Sequence, residues 1–379
     1  MSPSFTRRHL FTASAALAFS GCNRNKGTGY FGYALVANQG DRSVSAVDLT
    51  AFRLAKTIAL RSAPTAVVAA KRGRHSAYVL TPDSGSIHVI DVSLSLSGSQ
   101  RLAEKVNEIR VGSSGEFLAA ISEPSRELIL ADAATLRVVA RHKLAFAPSA
   151  MDLSQNGYVA VASSQGDVSL LRLESGNFTH AQLPHSLGVI SFRADGKLLL
   201  VANLEGKSII ALDVPTLQVV AELPLAMQPE NLCFNADRGQ LFVSGAGMDG
   251  VAVVFPFDTL EVDQTLLAGH APGPMACSAA PAYLFVASDA GPSVSVINIF
   301  TRKQLALVEV GGMPTFLTTT PDSQYALILS QSSGDMAVIH IPAIRTAWTA
   351  GAYKNGSALF TMLNVGNKPV HAAIVPRLA

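Results

Sequence analysis

The side chains of this 379-residue chain that could ligate a metal or move a proton are nine histidines, three cysteines and 27 aspartates and glutamates. None of them falls into a known catalytic spacing. There is no His-Glu-x-x-His zinc helix, no Gly-x-Ser-x-Gly elbow, no Walker loop and no Cys-x-x-Cys. Gly245-Ala-Gly247-Met-Asp-Gly250 imitates a dinucleotide fingerprint, but it lies between two strand-like runs with no helix after it, so it reads as a turn. What remains is a set of ligand-binding candidates: His185, His270 and His371, with Arg42 and Glu230 as charged companions. Neutral imidazole is the commonest metal ligand, so the histidines carry most of the interest. No catalytic residue, metal set or cofactor is evident from these residues alone.

The elements that position them are repeats. Eight times, at a spacing of 40 to 44 residues, an apolar run ends in a small polar residue, passes through a turn and continues as a second apolar run. Tyr33 to Asn38, Leu198 to Asn203 and Gln324 to Ser330 are copies of the first run; Val44 to Asp48, Ile209 to Asp213 and Val294 to Asn298 are copies of the second. A period near 42 with strands of this length predicts an all-β, four-stranded antiparallel β-propeller. The Asp or Asn closing the second run reads as an Asx-turn former. A polar third run, such as Leu54 to Leu60, suits the solvated outer edge. A run of small residues opened by Pro, such as Pro64 to Ala70, suits the crowded inner strand.

The first copy lacks an inner strand, and the chain ends with a spare one, Pro369 to Val375. That strand is expected to complete the first blade and close the ring, which gives eight blades, with seven as the alternative. Two connections read as long loops: Ser93 to Arg101, and Pro342 to Ser357, which carries Trp348, Tyr353 and Lys354. Propeller ligands bind at a channel mouth, here built from turns such as Asn38 to Ser43, Met227 to Asn231 and Gly269 to Pro274. In an eight-blade ring His185 and His371 fall on opposite inner strands. They are too far apart to share a zinc ion, but are placed to flank a flat ligand, with His270 in a loop of the same mouth. Cys233 and Cys277 fall on neighbouring inner strands. Their offsets from the preceding Pro differ by one, which predicts side chains pointing oppositely and favours two free thiols, although an oxidising compartment would permit a disulfide.

The leader is an address rather than structure. Thr6-Arg7-Arg8-His9-Leu10-Phe11 has the twin-arginine form, and Phe19-Ser20-Gly21-Cys22 resembles a bacterial lipobox. The expected division is a signal peptide at 1–21, a polar tether at 22–32 and one propeller domain at 33–379. Cys22 is expected to carry a lipid that holds an exported protein to a membrane, in the periplasm or at the cell surface. Without Arg7 and Arg8 the chain carries 27 basic and 27 acidic residues, and it shows no basic stripe, so nucleic acid is not an expected partner.

Val36-Ala37-Asn38, Val201-Ala202-Asn203, Ser43-Val44-Ser45, Ser293-Val294-Ser295 and the Val-Gly-Gly-Met-Pro of Val310 to Pro314 resemble the YVTN family of β-propeller repeats across residues 33–376. The resemblance implies the fold and an extracytoplasmic address, and it carries over no catalytic set. The leading expectation is a lipid-anchored binding or protein-assembly platform, with a protein partner or a small ligand at the channel mouth. The alternatives are a propeller that binds or matures a tetrapyrrole-like or quinone-like cofactor, and a lactonase-like hydrolase.

Overall fold

The computed structural model describes residues 29–184, 186–255, 261–344 and 358–377. Their strands form eight separate four-stranded antiparallel sheets. Seven blades are built from consecutive strands. The remaining one joins Pro369–Pro376 to Gly32–Asn38, Ser43–Asp48 and Arg53–Ala59, in that order outwards. Tyr33 stands opposite Val375 and Leu35 opposite Ala373, so the last strand closes the ring on the first blade as the sequence predicts. We number the blades from this one, in chain order.

Strand composition decides strand position. Tyr325–Ser330 is buried at every residue, and Gly32–Asn38 at all but one. A run with no polar face can only sit between two packed neighbours. Arg53–Ala59 has one buried residue, Ile58, and lies at the solvated rim, where charged side chains discourage edge-to-edge pairing. The apolar side chains sort into eight clusters, one filling each interface between adjacent blades. Phe285 and Tyr283 of blade seven, for example, meet Ile328 and Ala326 of blade eight. Each cluster needs both neighbours, which ties the fold to a closed ring rather than to any one sheet.

The turns behave as their residues predict. The Asp48 carboxylate accepts the Thr50 N–H at 2.8 Å, Asp91 accepts that of Ser93 at 2.9 Å, and Asp132 that of Thr135 at 2.8 Å. Hydroxyl and amide donors pull the Asp91 and Asp132 carboxyls below their ordinary range. The small polar residue that ends the second strand is buried, and it bonds across the following turn. The Asn203 amide reaches Ser208 Oγ at 3.1 Å, and Ser163 Oγ reaches Asp167 at 2.7 Å.

One expected loop is a strand. Leu96–Arg101 pairs with Ser86–Asp91 as the outer strand of blade two. Its sequence, Leu-Ser-Gly-Ser-Gln-Arg, is exposed throughout and carries no apolar alternation to betray it. The neighbouring strand's free edge supplies the backbone partners instead. In the second long connection, Trp348, Tyr353 and Lys354 lie outside the described residues, as do Arg7, Arg8, Cys22 and Asp258.

Candidate functional site

Turns between the second and third strands, and links from one blade to the next inner strand, share one end of the ring. Between blades six and seven they flank an open cavity of about 500 Å³, lined by Glu230, Asp249, His270, Asp289 and residues 245–248. The local geometry follows from small residues. Gly245 lies so close to the Gln228 carbonyl that no side chain fits there, and Gly273 packs against the Asp289 carboxylate. These contacts let two turns converge without bulky walls.

His270 is the best-oriented group in the cavity. Its Nδ1 lies 2.9 and 3.1 Å from the two Asp249 oxygens, and the same carboxylate accepts the Ala271 N–H at 3.0 Å. The Ala271 N–H and the His270 ring together hold the Asp249 carboxyl below its usual range. An ionised Asp249 accepts only, so His270 Nδ1 carries the proton, and in the neutral ring it is Nε2 that has the free lone pair. In metal sites a carboxylate behind a histidine in this way fixes the tautomer and the orientation of the ring. Asp289 lies on the exposed rim, and its carboxyl is pushed up by desolvation.

His371 is placed differently. It stands on the inner strand of blade one, with its ring 4.5 Å from that of Phe316 on blade eight. Its Nδ1 accepts the Val67 N–H of blade two at 3.5 Å. Burial, helped by the nearby Arg110 guanidinium, pulls its pKa down to about 4. The imidazole is therefore neutral near pH 7. With Nδ1 accepting, the proton sits on Nε2, which makes this ring a hydrogen-bond donor and not a metal ligand.

The channel wall also holds charged residues that the sequence reading passed over. Glu108 on blade three pairs with Arg110 at 2.6 Å and accepts the Met151 N–H of blade four at 3.1 Å. Desolvation raises the Glu108 carboxyl, opposed by Arg110 and assisted by Asp152. Asp152 in turn accepts the Phe192 N–H of blade five at 2.8 Å and the Ser191 hydroxyl at 3.3 Å. Thr319 of blade eight donates to the Cys277 carbonyl of blade seven at 2.9 Å. Side chains on inner strands thus bond the neighbouring inner strand at three interfaces, between blades three and four, four and five, and seven and eight. The signal was in the chain as acidic residues within inner runs, Glu108 in Glu-Ile-Arg-Val and Asp152 in Ala-Met-Asp-Leu, where an unpaired charge is costly.

Of the sequence candidates, Glu230 and His270 come together at the cavity. Arg42 does not join them: it lies in the exposed turn of blade one, in a left-handed conformation (φ 51°). His371 lies in the channel wall, and His185 is outside the described residues, so the proposed opposition of that pair has no structural account. Among the described residues no three His, Cys, Asp or Glu side chains are grouped to hold a metal ion.

No protein-family model matches the chain, and no curated protein matches it. Solved structures do. Dihydro-heme d1 dehydrogenase NirN in complex with DHE is similar over 89% of this chain and 76% of that one, with a TM-score of 0.73 and 17% identity. Hydrazine synthase from Kuenenia stuttgartiensis is similar over 72% of this chain and 90% of that one, with a TM-score of 0.56 and 13% identity. The Cps50 (Swd1) propeller domain of Myceliophteria thermophila gives 74% and 96%, a TM-score of 0.57 and 13% identity. These likenesses show the fold. At such identities they assign no activity to this chain.

Proposed function

We propose that this protein is a lipid-anchored, extracytoplasmic binding platform whose channel mouth takes a metal-bearing tetrapyrrole, capped by His270. The observation that carries the reading is the isolated, pre-oriented imidazole. The nearest carboxylate, Asp249, engages the other ring nitrogen, and among the described residues no three ligands gather to retain a bare metal ion. The imidazole suits a metal whose other ligands come with it, as in a macrocycle that supplies four nitrogens and leaves an axial position open. An open cavity of about 500 Å³ lies beside His270, and Asp249 supplies the orienting carboxylate. NirN, a structural neighbour, is described as bound to DHE and named for a heme d1 derivative, which supports testing this ligand class first. The donor set fits capping by His270 and does not fit capping by His371, whose tautomer is reversed. A bound tetrapyrrole would supply the metal and its redox chemistry; His270, oriented by Asp249, would supply a ligating nitrogen.

The anchor is consistent with the ring's polarity. Gly29 N–H donates to the Tyr325 hydroxyl at 3.2 Å, and Tyr30 N–H to the Leu49 carbonyl at 3.0 Å. Both contacts lie at the end of the ring opposite the His270 cavity. A lipid on Cys22 would therefore leave the mouth facing away from the membrane.

The test is a visible-absorbance titration of the solubilised full-length protein with ferric protoporphyrin. Saturable binding with the band shift of imidazole ligation is expected. His270→Ala should abolish the shift, and Asp249→Asn should weaken binding by about 10–100-fold. A wild-type titration without saturation, or an unchanged His270→Ala spectrum, would overturn the reading.

A further inference from the structure

Cys233 and Cys277 sit on the inner strands of adjacent blades, Asn231–Phe234 and Pro272–Cys277. In their ladders Cys233 stands opposite Phe242, and Cys277 opposite Leu284. Phe242 and Leu284 belong to one apolar cluster, the one packed between blades six and seven, and both cysteines pack against it. Cys233 therefore points forward around the ring, and Cys277 points back. The opposite orientation expected from their unequal offsets is real, and on neighbouring blades it is what makes the two side chains meet. Their Sγ atoms are 3.5 Å apart.

We infer that Cys233 and Cys277 form an inter-blade disulfide once the protein has left the cytoplasm, a step that rests on the export reading of the leader. A bonded pair needs an Sγ–Sγ separation of about 2.05 Å, and rotation about the two Cα–Cβ bonds sweeps each sulfur through a wider arc than the difference. The oxidant is the disulfide of an exported thiol–disulfide carrier. One cysteine thiolate attacks it to give a mixed disulfide and a carrier thiolate. The second cysteine, losing its proton, displaces the remaining carrier sulfur. Two protons and two electrons leave the cysteines, one Sγ–Sγ bond forms, and the carrier departs as a dithiol.

The position gives the bond a structural effect. Inner strands of adjacent blades belong to separate sheets and share no backbone ladder. A covalent link here ties blade six, which carries Asp249, to blade seven, whose inner strand follows His270. Both blades line the candidate cavity.

The experiment uses full-length protein incubated with oxidised glutathione, quenched with an alkylating agent and digested with trypsin. Cleavage at Lys207, Arg238 and Arg302 puts the two cysteines on different peptides, 208–238 and 239–302. The expected result is those peptides joined, in this sample and in protein alkylated at harvest from its host's extracytoplasmic fraction. A reducing agent should then lower the melting temperature of the oxidised wild type and leave Cys233→Ser unmoved. Full alkylation of both cysteines after glutathione treatment would overturn the geometric argument. Joining by glutathione with both thiols free in the host would also overturn the proposal, and would place the error in the export reading. His270 and Asp249 are unchanged in every variant used, so the haem titration of the wild type tests the ligand reading by a separate readout.

Discussion

Replacing His371 with Gln should make the ring less sensitive to mild acid. The imidazole is largely buried against Phe316 and near Arg110, and its pKa is pulled down to about 4; in the unfolded chain it returns to about 6.5. Between these values the unfolded chain binds a proton that the folded ring refuses. The stability that depends on a neutral His371 is therefore complete above about pH 6.5 and is lost as pH falls towards 4. Linkage at pH 5.0 gives a loss of about 2 kcal/mol, against about 0.1 kcal/mol at pH 7.5. Residual solvent contact makes the first figure an upper one. Glu108, raised by burial, works in the opposite sense, and His88 and His340, both lowered by burial, work in the same sense. All three are common to both proteins and cancel in the difference. Urea unfolding followed by far-ultraviolet circular dichroism at pH 7.5, 6.0 and 5.0 gives the comparison. His371→Gln will be less stable at pH 7.5 through lost packing, and that deficit should shrink by about 2 kcal/mol at pH 5.0. A deficit constant across the range would mean that the imidazole is not desolvated as the Phe316 and Val67 contacts require, and would refute the reasoning.

Two further outcomes test other links. Gly245→Ala forces a methyl group onto the Gln228 carbonyl oxygen; overpacking of this kind costs about 1–3 kcal/mol, and the displaced turn should weaken the protoporphyrin titration while circular dichroism stays that of a β protein. Cys22→Ala should move the protein from the membrane fraction to the soluble extracytoplasmic fraction, and a variant still bound to membranes would remove the lipid anchor from the proposal.

Much of the architecture was legible because a propeller writes it repeatedly. Strands such as Tyr325–Ser330 must be apolar on both faces, and the spare strand at Pro369–Pro376 answered the one missing at the start. Where a strand lacked that demand, as in Leu96–Arg101, nothing in the sequence marked it, since an exposed edge strand is held by backbone bonds that any residue can make. The site was legible only as a list of residue types. His270 and Glu230 were visible as mouth residues, but Asp249 became the partner of His270 only when the turn of blade six folded against the link to blade seven.

The sequence by itself determined the period, the strand order within a blade, the turn chemistry of Asp48, Asp91 and Asp132, and the way the ring closes. These follow from local rules of burial and hydrogen bonding that act within some forty residues. The tertiary structure alone decided everything that depends on which blade faces which. It reversed the meaning of the cysteine offsets, because opposite orientations converge across an interface. It gave His270 and His371 opposite tautomers, because one ring meets a carboxylate and the other a backbone N–H. It also turned Glu108 and Asp152 from stray charges into links between inner strands. Chemistry at a propeller's mouth depends on contacts between blades, and a repeat read along the chain specifies each blade without specifying what its neighbour presents.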